Sequence, residues 1–190
     1  MRHYRSLTSV LTVLLLVGIG AGCENVPQIA GPADQAPQFA RVGGPSTTSA
    51  PVAWTGDFTG YAISGIMPAG GGALEITDGA DGPAIVRLIV PGGAAPGLPV
   101  MFTMKLDCTG GKTCVVDLTA NSVTGRSITR FHRGVKLQIN TVYLVPGGDN
   151  LRIAQAHDDG SFTSSPSSVD DDGFLTATLQ HFSAYVPITD

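Results

Sequence analysis

No apolar run in this 190-residue chain is long enough to cross a bilayer as a stable helix; the one near its start stops at Ile19, having begun at Leu11. No basic run or patch is present either, which removes the electrostatic footprint of nucleic-acid binding. No stretch carries a sustained 3.6-residue apolar repeat, so a helical architecture is excluded. A Gly-x-Ser-x-Gly nucleophile elbow is missing, and with it the usual serine-hydrolase arrangement. The run Cys108-Thr-Gly-Gly-Lys-Thr-Cys114 has the tail of a phosphate loop, but the required leading glycine would fall at Leu106. His132, His157 and His181 have no second ligand at metal-like spacing, and no cofactor is expected.

What is present begins with two arginines, Arg2 and Arg5, then the apolar run, then small residues to Cys23. This is the three-part pattern of a secretory signal over residues 1–22. The end of that region, Gly20-Ala21-Gly22-Cys23, resembles a bacterial lipobox, although Gly20 stands where leucine is usual. The resemblance implies that Cys23 is acylated and becomes the mature N-terminus, anchoring the protein to a membrane through lipid. An ordinary secretory signal, cleaved nearby, would leave Cys23 a free thiol. Cysteine counting favours the anchor: the other two, Cys108 and Cys114, flank a Gly-Gly turn between apolar runs and pair as a disulfide across a hairpin, leaving Cys23 unaccounted for. Glu24 follows, not the aspartate that favours inner-membrane retention in enteric-type bacteria. The expected location is therefore extracytoplasmic, on a bacterial outer membrane or cell surface. Removal of the signal leaves nine basic against 15 acidic side chains, a mild acidity that serves solubility.

Residues 23–51 are rich in Pro, Gly, Ala, Ser and Thr without apolar periodicity, and read as a flexible tether. From Val52 to Asp190 the composition changes to short Val-, Ile-, Leu-, Phe- and Thr-rich runs between Gly, Pro, Asn and Asp turns. These include residues 84–90, 100–106, 134–141, 151–157 and 174–180, and the spacing predicts an all-β fold, a single β-sandwich. In Val135-Lys-Leu-Gln-Ile139 the apolar residues share one face while Lys136 and Gln138 share a wet one. Near the end, Leu175, Ala177 and Leu179 are apolar on odd positions, but Phe182, Ala184 and Val186 on even ones. A one-residue change of phase predicts a β-bulge in the closing strand near Gln180 or His181.

The segment Leu88-Ile-Val-Pro-Gly-Gly-Ala94, the strand from Val100, the Phe131-His-Arg-Gly-Val-Lys-Leu-Gln-Ile139 strand and a closing His181-Phe-Ser-Ala-Tyr185 resemble the β-sandwich domain shared by zonula-occludens proteins and uncoordinated-five netrin receptors. The middle departs from that pattern, with Asn121 to Phe131 and Gly134 replacing a Gly-Pro-x-Gly and a proline. Relatives of that domain cleave themselves between Phe and Ser of such a motif. The resemblance implies a route here: Ser183 attacks the Phe182 carbonyl, and His181 serves as base. The plainer reading is a closing strand whose bulge returns Phe182 to the core.

Two further sites are weaker. Asp170, Asp171 and Asp172 offer hard oxygens to calcium, but adjacent aspartates diverge, and both this run and His157-Asp-Asp-Gly160 read as turns. Trp54, Phe58 and Tyr61 would suit a sugar-binding surface, or core packing. The expectation is a non-enzymatic, lipid-anchored module with an envelope or surface protein, or a glycan, as partner.

Overall fold

A computed structural model describes residues 49–95, 99–108, 112–147 and 150–189. The described residues all belong to one compact unit. The signal, Cys23 and most of the tether lie outside the described residues. Among the described residues no helix is long and apolar enough to cross a membrane.

Among the described residues twelve strands follow in order: β1 (Ala50–Pro51), β2 (Tyr61–Met67), β3 (Gly71–Thr77), β4 (Ala84–Pro91), β5 (Val100–Asp107), β6 (Val115–Ser122), β7 (Arg130–Asn140), β8 (Leu151–Ala156), β9 (Phe162–Ser165), β10 (Ser167–Val169), β11 (Phe174–His181) and β12 (Ala184–Thr189). They form two antiparallel sheets. The larger runs β2-β5-β6-β12-β8-β9, with β1 also paired to β12; the smaller runs β10-β11-β7-β4-β3. All five apolar runs picked out in the sequence are strands, and the fold is an all-β sandwich.

Alternation explains the core. Phe102, Met104 and Leu106 of β5, and Val116 and Leu118 of β6, meet Val86 and Leu88 of β4 and Val135, Leu137 and Ile139 of β7, all buried between the sheets. Each such side chain contributes about 1.5–3 kcal/mol when fully removed from water. At the entrance to β3 the packing is tighter still. Gly71 has φ +86, and a Cβ there would meet the Val90 carbonyl oxygen at 2.2 Å, so only glycine fits.

The disulfide between Cys108 and Cys114 closes the β5–β6 hairpin, whose register carries Asp107 opposite Val115 and Leu106 opposite Val116. The segment read as tether ends earlier than expected, because Ala50 and Pro51 pair with Thr189 and Ile188. The wet face of β7 also differs from expectation. Lys136 is exposed, but Gln138 is buried, because the β10–β11 hairpin folds beside it and its Nε2 donates to Asp170 Oδ2 and Thr176 Oγ1 at 3.2 and 3.1 Å.

Candidate functional site

The phase change in the closing segment has a larger cause than a bulge within one strand. β11 belongs to the smaller sheet and β12 to the larger, and Phe182-Ser183 is the crossover between them. On β11, Leu175, Ala177 and Leu179 face the core; on β12 it is Tyr185 that does so. Parity shifts because the chain approaches the core first from one side and then from the other. A register shift does occur where it was expected, between Leu179 and His181. Leu179 lies opposite Val135 and His181 opposite Arg130, so the extra residues, Phe131 to Gly134, sit on β7. Gly134 permits this crowding, since a Cβ there would lie 2.4 Å from Thr178 Cγ2.

Three contacts hold the crossover. The Phe182 ring packs on Phe131 at 4.1 Å between centroids and on Phe102 at 5.5 Å. The Phe182 N–H donates to the Thr129 carbonyl at 3.3 Å and the Leu118 N–H to the Ser183 carbonyl at 3.1 Å, so the two sheets share the load of the dipeptide. The third contact is Tyr185, whose ring is buried and whose hydroxyl donates to the His181 carbonyl at 2.8 Å. The same oxygen lies 3.2 Å from His181 Nδ1. A phenol has one hydrogen, so donation to the carbonyl leaves its lone pairs for an Nδ1–H, and this sets the imidazole tautomer. Burial pushes the Tyr185 hydroxyl up to about 12 from its ordinary 10, keeping it protonated as this brace requires.

The residues proposed for self-cleavage are adjacent here but bonded elsewhere. Ser183 Oγ accepts from Gln155 Nε2 at 3.0 Å, while the His181 ring is turned to Tyr185. Proton removal by His181 requires hydrogen-bond reach of the Ser183 hydroxyl. The partners that each group has instead make the arrangement a clasp across a sheet change.

The other sequence candidates fall as follows. Asp170 closes the β10–β11 turn: its Oδ1 accepts from the Phe174 N–H at 2.8 Å and its Oδ2 from Gln138 at 3.2 Å. Asp171 and Asp172 are exposed beside it. Among the described residues no three Asp, Glu, His or Cys side chains are gathered as a metal site would gather them. Asp159, in the other acidic turn, accepts from the Ser161 N–H and hydroxyl, and these bonds hold its carboxyl below the usual range. His157 pairs with Thr163 at 2.8 Å and His132 is exposed on β7. Trp54 and Phe58 are core residues in edge-to-face contact at 5.8 Å, and Phe58 in turn meets Tyr61 and Tyr143, so these aromatics pack inward instead of presenting a sugar platform.

Gln155 was not singled out from the sequence, and Tyr185 figured there only as the aromatic of the closing motif. Their roles depend on the sheet crossover, and no local spacing signals it. No family model matches the chain, and no match is found among curated proteins.

Proposed function

We propose that the protein is a lipid-anchored, non-enzymatic β-sandwich, held through Cys23 at a bacterial outer membrane or cell surface, where it acts as a structural or interaction module. The observation that carries this reading is the Cys108–Cys114 disulfide. Such bonds persist in oxidising compartments outside the cytoplasm, in agreement with the secretory signal. Pairing of these two also leaves Cys23 as the odd cysteine, at the position where a lipobox would have it acylated. Membership of the zonula-occludens and netrin-receptor domain family is part of the proposal, and its partners are an envelope or surface protein or a glycan.

Self-cleavage at Phe182-Ser183 draws less support, since hydroxyl and imidazole are each committed to another residue. Fractionation of cells expressing the wild type and Cys23→Ser tests the anchor: the variant should leave the membrane pellet for the soluble fraction. Continued pelleting would overturn the anchored reading. Denaturing intact-mass spectrometry of the same samples should show a chain that retains its last eight residues, Ser183 to Asp190. Loss of that peptide would establish the cleavage reading in its place.

A further inference from the structure

Among the described residues the larger sheet ends at β2 and β9 and the smaller at β3 and β10. A sheet border presents unpaired N–H and C=O groups, and short length or charge keeps it from pairing with other chains. β9 and β10 are four and three residues long, and β3 carries Glu75 in an ion pair with Arg87. β2 has neither protection: Tyr61–Met67 is seven residues without a charge. Among the described residues no strand pairs with it on the side away from β5. Its inward side chains Tyr61 and Ile63 are only half-buried, whereas Phe102, Met104 and Leu106, inward on β5, are fully buried. This side of the sandwich is open.

Which backbone groups face outward follows from β6. In an antiparallel ladder each residue directs its N–H and C=O to the same side, and successive residues alternate. On β6 the Leu118 N–H donates to the Ser183 carbonyl, the Ala120 carbonyl accepts from the Ile128 N–H, and the Ser122 N–H donates to the Arg126 carbonyl, all away from β5. The odd-numbered residues of β6 therefore bond Met101, Thr103 and Lys105 of β5. The even-numbered residues of β5 are left to bond Ile63, Gly65 and Met67 of β2. The groups turned to the open edge are those of Ala62, Ser64 and Ile66. Their side chains are exposed on the outer face of the sheet, where Ile66, 58% exposed, lies opposite Met101, 44% exposed.

We propose that β2 is the contact edge of a two-fold homodimer, pairing antiparallel with β2 of a second copy about Ser64. In that register Ser64 lies opposite its own counterpart and Ala62 opposite Ile66, so every outward N–H and C=O of the strand is bonded on both copies. The outer face gains by the same register. Ile66 and Met101 of one copy come against Ala62 of the other, once on each side of the two-fold, with Ser64 and its 2.8 Å bond to Thr103 at the centre. A second copy suits this edge because the edge is complementary to itself: the strand carries no charge to repel its own copy or to select a different partner. The pairing uses the sandwich alone and does not rest on the anchored reading.

Gel filtration with light scattering, on the full chain purified in detergent over a concentration series, tests it. The protein mass should be that of a dimer which dissociates on dilution. Ser64→Pro deletes an outward N–H and no bond to β5, so it should give a folded monomer. Ile66→Lys removes the apolar contact and sets a cation on the same row as Lys105 of the second copy, with only Ala62 between them; it should weaken association about ten-fold or more. Its exposed position keeps the test open if Ser64→Pro fails to fold. A disulfide reads the register. The two Cα atoms at position 64 would lie about 5.5 Å apart, within the span of a disulfide, whereas those at position 62 would be displaced by about 13 Å along the strands. Oxidation of Ser64→Cys should yield at least about ten-fold more linked dimer than Ala62→Cys, after subtraction of any linkage seen in the wild type. A monomer at every concentration, a dimer that persists in both Ser64→Pro and Ile66→Lys, or equal linkage at the two positions would overturn the proposal.

Discussion

Replacing Tyr185 by Phe removes one oxygen from the crossover and leaves the ring that fills the core. The buried aromatic packing is retained, so the cost comes from the 2.8 Å bond to the His181 carbonyl. An intramolecular hydrogen bond contributes about 0.5–1.5 kcal/mol net, and leaving a buried acceptor unpaired costs about 1–3 kcal/mol. His181 is half-buried, so water recovers part of that loss, and the expected destabilisation is about 1–2 kcal/mol. For a domain of this size that is a fall in Tm of about 3–8 °C. A second signature lies in alkali. Tyr185 ionises at about 12 in the folded protein, against an ordinary 10. Between those values the native state holds a proton that the unfolded chain has lost, so stability is full below about pH 10 and declines as pH rises towards 12. Tyr185→Phe should therefore flatten the alkaline decline as well as lower Tm at neutral pH. Tyr143, raised by burial and by its bond to Asp78, contributes a remaining slope, and Tyr143→Phe is the control that separates the two. Thermal denaturation followed by circular dichroism from pH 7 to 12 reads both effects. A Tm within 1 °C of wild type with an unchanged alkaline slope would refute the clasp.

Two other outcomes are expected. Cys108→Ala with Cys114→Ala releases a short loop, and the chain-entropy relation assigns such closure about 2 kcal/mol; urea denaturation should show a loss of that order, with the β5–β6 register preserved. Asp170→Ala should destabilise by about 1–2 kcal/mol through loss of its bonds to the Phe174 N–H and Gln138, equally in calcium and in chelator. A calcium-dependent difference in Tm would show instead that the Asp170 turn holds an ion.

Much of this protein follows from local pattern. Period-two alternation in Val135-Lys-Leu-Gln-Ile139, and turn residues such as Gly173 between apolar runs, determine strands, hairpins and an all-β class, because side-chain facing in a strand repeats every two residues wherever it lies. Two cysteines about a Gly-Gly turn likewise determined their own pairing, since a hairpin brings them together. Non-local pairing was decided by the tertiary structure alone. A phase change at Gln180 reads the same whether a strand bulges or changes sheets, and only the packing of β11 on β7 and of β12 between β6 and β8 distinguishes them. That choice placed Tyr185 over the His181 carbonyl and gave Ser183 to Gln155, so the imidazole and the hydroxyl of the closing motif each have another partner. It also buried Gln138, polar and on a nominally wet face, because the hairpin that covers it comes from residues thirty positions away. Contacts across such separations depend on which strands become neighbours, a property of the whole chain that no window of sequence contains.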